Sequence, residues 1–167
     1  MELPLNPVVL ENHKQIFPNS CVTMCVEFAL KLMDSLPAES FDLQNRYGDC
    51  QKSGEDFDGE TIFNVFIKMH FNTSRGPSFP LEDLFDKIKS ELDNGNYVNC
   101  ALKPNNSSTY HAYLIYGYKE NEFLAITKYY DNNEVEYISD MKSRLENIKG
   151  SDILTFKKTT QLEVNIK

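Results

Sequence analysis

Residues 14–33 read KQIFPNSCVTMCVEFALKLM and predict the central helix of the fold. From Cys21 onward, two neighbouring apolar stripes repeat at helical spacing, so the apolar arc is wide and the helix should be mostly buried. Ser20 stands directly before the first apolar position and is the predicted N-cap, with Asn19 as a second candidate one residue earlier. Glu27 and Lys31 are four residues apart, and we expect them on the remaining polar face of the helix.

The rest of the chain reads as helices first and antiparallel strands second. Residues 38–59 lack periodicity and predict a long surface connection. Residues 60–71 predict a short helix, and residues 81–95 predict an amphipathic helix that ends at a glycine. After residue 95 the apolar period changes to two. We expect strands at residues 97–103, 111–119, 123–130, 131–137, 151–158 and 161–167, a loop at 104–110 and a short helix at 139–148.

This order of elements predicts a single α+β domain over residues 1–167. A mainly helical half, residues 1–95, would pack its central helix on an antiparallel β half, residues 96–167. The chain is long enough to bury one hydrophobic core. The composition, with 41% apolar and 12% aromatic residues, is typical of a folded protein.

The charge disfavours some classes of partner, and the apolar pattern and the first residues bear on location. The net charge of −8 disfavours nucleic acid or an anionic membrane as a partner. No run approaches the about eighteen apolar residues of a membrane span, and the first residues lack the regions of a signal peptide. Four irregularly spaced cysteines favour reduced thiols over a disulfide framework. We therefore expect a cytoplasmic protein, or one secreted without an N-terminal signal peptide, of undefined oligomeric state.

Cys21 is the strongest candidate for a nucleophile, because it opens the central helix. Unpaired N–H groups and the helix dipole stabilise a thiolate at that position. A thiolate also needs a base that exchanges a proton near neutral pH, and histidine is the usual one. Of the three histidines, His111 opens a predicted strand and can point across a cleft toward a helix start. Each residue alone also fits a structural role, as a core thiol or a strand-end histidine.

Metal and cofactor sites are not indicated by the sequence. A glycine-rich phosphate loop is absent. A zinc site could be built from Cys21, Cys25, His70 and His111, but no two of them have the close spacing of metal-binding pairs. We therefore predict neither a metal nor a cofactor.

Four features of the chain resemble the papain-like cysteine peptidase pattern. They are Gln15, Cys21 six residues later at the head of a helix, the strand in GNYVNCALK at 95–103, and the strand HAYLIYGY at 111–118. The chain is most similar to the compact bacterial branch that includes the bacteriocin-leader peptidase domains. The resemblance covers roughly residues 15–138.

This resemblance implies a papain-like fold and a function. It implies a thiolate–imidazolium pair of Cys21 and His111, with an oxyanion hole formed by the Gln15 side chain and the Cys21 backbone N–H. The implied enzyme is a cysteine peptidase, or a related thiol-dependent hydrolase or transferase. It would act on a peptide or protein substrate through a Cys21 thioester.

A third catalytic residue is expected to orient the histidine. In the resembling families, an acceptor follows the histidine by roughly sixteen residues. From His111 this count reaches Thr127 or Lys128. Lysine accepts no hydrogen bond, and threonine accepts one only weakly. We therefore expect the nearest carboxylate, Asp131, to orient His111. The alternative is a two-residue site whose imidazole is held by a backbone carbonyl or by water.

Two other functions stay open at this point. One is a catalytically inactive papain-like protein with a binding or regulatory role. The other is a secreted bacterial effector whose cysteine chemistry modifies a host protein. Frequent Asn, Lys, Ile and Tyr fit a low-GC bacterium but do not discriminate between these functions.

Overall fold

The computed structural model describes residues 1–103 and 110–159. The helices in these ranges are α1 (Pro7–Asn12), α2 (Cys21–Leu32), α3 (Asp42–Tyr47), α4 (Leu81–Asp93) and α5 (Met141–Asn147), with a 3₁₀ turn at Gly54–Asp56. None of these helices is long and apolar enough to cross a membrane. The strands are β1 (Thr61–Ile62), β2 (Val65–His70), β3 (Val98–Leu102), β4 (His111–Lys119), β5 (Glu122–Tyr129), β6 (Asn132–Ile138) and β7 (Ile153–Lys158).

The described strands form one antiparallel sheet in the order β1-β2-β7-β3-β4-β5-β6. β7 lies between β2 and β3 and pairs with both, so the last described strand joins the N-terminal hairpin to the β3–β6 meander. The predicted α+β class is therefore confirmed. The strand predicted at 161–167 and all but the last residue of the loop predicted at 104–110 lie outside the described residues.

Helices cover both faces of the sheet. α2 belongs to the apolar cluster on one face, whereas α4 and α5 belong to the cluster on the other. Side chains of β4 alternate between the two clusters. Ala112, Leu114 and Tyr116 lie in the cluster of α2, and Tyr113 and Ile115 lie in the opposite one. A strand that is buried on both faces needs apolar residues at nearly every position, which explains the composition of β4.

α2 begins at Cys21, as predicted, and its polar positions are buried as well. Glu27 is 0% exposed and Lys31 is 2% exposed. α1 and α3 pack against α2 and cover the side on which these residues lie. The helix is therefore surrounded by protein on all sides, and its charged residues need partners inside the fold.

Glu27 joins α2 to α3 through three hydrogen bonds. Its carboxylate accepts from the backbone N–H groups of Leu43 and Gln44, at 2.9 and 3.3 Å, and from Gln44 Nε2 at 2.8 Å. Burial raises the pKa of the Glu27 carboxyl, and the hydrogen bonds from Gln44 and Leu43 and the positive charge of Lys31 oppose that shift. The N-terminal end of α3 is thus held by a buried acid on the neighbouring helix.

Lys31 joins α2 to the end of α1. His13 donates from Nε2 to the Met24 carbonyl at 2.9 Å, which leaves Nδ1 to accept from Lys31 Nζ at 3.0 Å. The Lys31 ammonium also lies 4.0 Å from the centre of the Phe41 ring. Burial lowers the pKa of Lys31 to about 8 and places the pKa of His13 well below its usual value.

The helix predicted for residues 60–71 is wrong, since this segment forms the hairpin of β1 and β2. Ile62 pairs with Val65 across a two-residue turn. The turn residues, Phe63 and Asn64, have positive φ angles of 49° and 65°, which is the geometry that matches the twist of a hairpin. The apolar spacing of this segment fits a helix and a strand equally well, which explains the wrong prediction. Because the segment forms two strands, the sheet begins well before residue 96.

We predict that Glu27→Ala lowers the free energy of unfolding by about 3 kcal/mol or more, because it leaves buried N–H donors without an acceptor. Urea unfolding monitored by circular dichroism measures the change. Glu134 is exposed on β6, so Glu134→Ala is the matched control and should change stability by less than about 0.5 kcal/mol. A loss below about 1 kcal/mol for Glu27→Ala would show that the buried carboxylate does not hold α3.

Candidate functional site

Cys21 lies at the N-terminus of α2 with 8% of its surface exposed. Ser20 is the N-cap residue, as predicted, but its side chain makes no capping bond to the helix. Its Oγ lies 3.1 Å from both the Phe17 carbonyl and Gln44 Oε1. The Cys21 thiol points to the Tyr110 carbonyl, with 3.8 Å between Sγ and the oxygen.

The environment of Cys21 favours a protonated thiol at rest. Burial raises the pKa of the thiol above its usual value. Backbone hydrogen bonds from Ala112, Val22 and Cys21 itself act in the opposite direction, as N–H groups near a sulfur stabilise its thiolate. Since burial is the larger effect, the resting site differs from the thiolate that the resemblance implies.

The His111 ring is fixed by two acceptors on β5. Nε2 lies 2.7 Å from Thr127 Oγ1 and 3.1 Å from the Lys128 carbonyl oxygen. The Thr127 hydroxyl donates its own hydrogen to the Ala112 carbonyl at 2.8 Å, so its oxygen accepts from the ring. A carbonyl oxygen can only accept. These partners assign the ring hydrogen to Nε2 and leave Nδ1 with the lone pair of a base.

Aromatic rings enclose His111 on two sides. Tyr129 stacks on it, with 4.2 Å between ring centres and 15° between planes, and Tyr113 meets it edge-on at 5.2 Å. Burial lowers the pKa of His111 to about 4, although the hydrogen bond to the Lys128 carbonyl opposes the shift. The imidazole is therefore neutral near pH 7.

The structure corrects the assignment of Asp131 as the residue that orients His111. Asp131 is exposed in the turn between β5 and β6, where its φ is 65°. Within the described residues it forms no hydrogen bond with His111, and Thr127 with the Lys128 carbonyl holds the ring instead. The count of sixteen residues from His111 leads to Thr127, whose hydroxyl is the neutral acceptor that the sequence analysis set aside in favour of a carboxylate. A neutral ring needs only neutral acceptors.

Gln15 lies beside the end of β5, where its backbone bridges to Tyr130, and is 5% exposed. Its Nε2 donates to the carbonyls of Phe17 and Pro18, at 2.8 and 3.1 Å. Its Oε1 is buried without a hydrogen-bond partner in the part of the chain that the structure describes. Both amide hydrogens are thus already used in bonds to the protein's own backbone.

One cavity of about 140 Å³ brings three of the four predicted site residues together: Gln15, Cys21 and His111. The rest of its described lining comes from Pro18, Asn19, Gln51 and Tyr110. The thiol and the imidazole border the same space, although the thiol points to the Tyr110 carbonyl rather than to the ring. Asp131 is not among the described lining residues.

Gln44 is a positioning residue that sequence analysis missed. Its Oε1 accepts from the Ile16 N–H at 3.0 Å and from Ser20 Oγ, and its Nε2 donates to the Lys14 carbonyl at 2.9 Å. The buried amide therefore fixes the segment that carries Gln15 and leads into Cys21. No pattern within the aperiodic residues 38–59 distinguished it from its neighbours.

The residues considered for zinc serve other roles. Cys25 is fully buried one turn inside α2, and His70, at the end of β2, lies 3.1 Å through Nε2 from Thr155 Oγ1. Across residues 1–103 and 110–159, no group of three or more His, Cys, Asp or Glu side chains could hold a metal ion.

No family model matches this chain, and no curated protein matches it significantly. The function must therefore be argued from the geometry of the cavity around Cys21.

The titration of His111 predicts a specific pH dependence of stability. The folded ring has a pKa of about 4 and the free imidazole one of 6.5, so the unfolded chain binds the proton first as the pH falls. The contribution of the neutral His111 ring to the stability of the folded protein is complete above pH 6.5 and is lost as the pH falls toward 4. Wild type should therefore lose more stability than His111→Gln between about pH 7.5 and about pH 4.5, measured by urea unfolding.

The comparison between the two proteins isolates this residue. Burial also lowers the pKa of His13 and His70, but both titrate equally in wild type and variant. Equal losses of stability in the two proteins would contradict a depressed pKa for His111.

Proposed function

We propose that this chain is a papain-like cysteine peptidase, or a related thiol-dependent acyl hydrolase or transferase, acting on a peptide or protein. The observation that carries the proposal is that both hydrogen-bond partners of the His111 ring lie at Nε2. Thr127 and the Lys128 carbonyl occupy Nε2, so Nδ1 is the nitrogen left to act as a base for Cys21 in their common cavity.

The proposed reaction begins from a neutral thiol and a neutral imidazole. Cys21 leaves the Tyr110 carbonyl, and its proton moves to His111 Nδ1 as Sγ attacks the substrate carbonyl carbon. The tetrahedral intermediate collapses, the C–N bond breaks, and the leaving amine takes the proton from Nδ1. Water then attacks the thioester carbon while Nδ1 accepts a proton from it. The C–S bond breaks, and Sγ takes that proton from Nδ1 to become the thiol again. An amine in place of water would give acyl transfer.

The fixed tautomer supports this order of events. His111 needs no reorientation before it accepts the thiol proton, because its hydrogen already points to β5. The aromatic contacts with Tyr129 and Tyr113 also limit rotation of the ring. Burial disfavours a permanent ion pair, so the two charges would form only during the attack, when the oxyanion site can stabilise the substrate oxygen.

The N-terminus of α2 is the main candidate for the oxyanion site. The first N–H groups of a helix have no partner within the helix, and here those of Cys21 and Val22 interact with the sulfur. The resemblance adds the Gln15 side chain to this site. Gln15 could contribute only after its amide releases the carbonyls of Phe17 and Pro18, so we assign the first role to the backbone.

One observation favours the alternative of a catalytically inactive papain-like binding protein. The Cys21 thiol already donates to a carbonyl, and burial raises its pKa, as expected for a structural cysteine. The two functions differ in whether Cys21 reacts with an electrophile in a manner that depends on His111.

We predict that a peptidyl vinyl sulfone labels the wild-type protein at Cys21. Cys21→Ala should abolish the adduct, and His111→Ala should slow its formation by at least about 10²-fold, because the base is lost. Intact-mass spectrometry followed by peptide mapping measures both effects.

Two other cysteines provide the controls. Cys25 is fully buried, so Cys25→Ala should retain the labelling rate and lower the free energy of unfolding by about 1 kcal/mol. Cys50 is exposed, so Cys50→Ala should remove only nonspecific label. Labelling that is equally fast in His111→Ala, or confined to Cys50, would reject the enzyme and favour the binding protein.

A further inference from the structure

A second cavity lies next to the one that Gln15, Cys21 and His111 line, which we call the thiol cavity. It has a volume of about 280 Å³ and shares Tyr110 with the first. Val22, the residue after Cys21, lies on its wall, and Ser53 and Gly54 extend the wall that Gln51 begins in the first cavity. The Tyr110 hydroxyl donates to the Lys52 carbonyl at 2.9 Å and so fixes this shared wall. A peptide chain bound at Cys21 would have the second cavity within reach of a neighbouring side chain.

Asp152 is the only acidic residue in the described lining of this second cavity. It is partly buried, and no ion pair or side-chain donor reaches its carboxylate in the part of the chain that the structure describes. The space above Asp152 depends on Gly54, since a Cβ at residue 54 would lie 2.8 Å from Asp152 Oδ2. A partly buried carboxylate without a partner is costly, and a cation bound in the cavity beside it would reduce that cost.

Asn99 forms part of the same lining. It is 5% exposed, and its Nδ2 is buried beside the Cys25 sulfur. This amide therefore closes the cavity wall toward α2, and the group that the cavity offers to a ligand is the carboxylate of Asp152.

Two cations stand at the outer part of the cavity. Arg75 is partly exposed and donates through Nη1 to the Lys103 carbonyl at 2.6 Å, and the Lys103 residue is exposed. Their charges are more strongly screened by solvent than that of Asp152. They would repel a second basic residue of a substrate while leaving the position at Asp152 favourable.

We infer that the Asp152 cavity is a specificity subsite that binds one lysine or arginine side chain of a peptide substrate. This inference rests on the proposed function of Cys21 and names its substrate class: peptides with an isolated basic residue near the scissile bond, rather than a basic run. The net charge of −8 also favours the approach of a basic peptide. Burial raises the pKa of the Asp152 carboxyl, and a bound cation would return it toward its usual value.

The test uses matched peptidyl vinyl sulfones that carry lysine, norleucine or two adjacent lysines at each position next to the electrophile. At the best position, wild type should react with the lysine probe at least about tenfold faster than with the norleucine probe, and the double-lysine probe should be slower than the single one. Asp152→Asn keeps the shape of the side chain and should remove the preference. Glu134→Gln, an exposed acid on β6 outside the described cavity lining, should retain it.

The outcomes separate this inference from the proposed function. Reaction of Cys21 with all probes at one rate, or a lysine preference that survives in Asp152→Asn, overturns the subsite and leaves the enzyme intact. If no probe reacts, the enzyme proposal fails, and a binding measurement with an unreactive peptide then tests the subsite by itself. In Cys21→Ala, an unreactive lysine tripeptide amide should then shift the NMR signals of the Gly54 and Gly150 amides more strongly than its norleucine analogue. The absence of that difference would overturn the subsite.

Discussion

The side-chain amide of Gln44 holds together the parts of the chain that meet at Cys21. It accepts from Ile16 and Ser20, and it donates to the Lys14 carbonyl and to Glu27. All of its hydrogen-bonding groups are used, and the residue is fully buried. The approach to α2, the first turn of α2 and the helix α3 therefore share one fixed point. The positions of Gln15 and Cys21 in the cavity around the thiol depend on this arrangement.

The other side of the cavity is set by the β4–β5 hairpin. His111 stands at the start of β4, and β5 supplies the hydroxyl and the carbonyl that receive its ring hydrogen. The hairpin holds an uncharged imidazole, which is consistent with its depressed pKa and with the absence of a carboxylate partner among the described residues. The proposed chemistry follows from this environment. A base that is neutral and already oriented can accept a proton during attack, whereas a stable ion pair would be costly in so buried a site.

Local signals in the sequence predicted the elements that depend on local structure. α2 begins at Cys21, α4 ends before a glycine with a positive φ of 86°, and the β4–β5 hairpin turns at Glu120. The order of strands was not predictable in this way, because β7 enters the sheet through pairing with residues far away in sequence. The burial of Glu27 depends on the packing of α3, and no single residue in the sequence indicates that contact. The count of sixteen residues from His111 leads to Thr127, but the sequence does not show that a neutral hydroxyl is sufficient there. The charge of the His111 ring depends on its burial, which only the folded protein defines.

The central claim is that His111 is a neutral base with its hydrogen on Nε2 and its lone pair on Nδ1. ¹⁵N NMR of histidine-labelled protein near neutral pH tests it directly, with the His111 signals assigned from their loss in His111→Gln. The account predicts a protonated Nε2 and an unprotonated Nδ1, and it predicts that Thr127→Val shifts the Nε2 signal because one of its two acceptors is lost. A ring with its hydrogen on Nδ1, or one protonated on both nitrogens, would contradict the account.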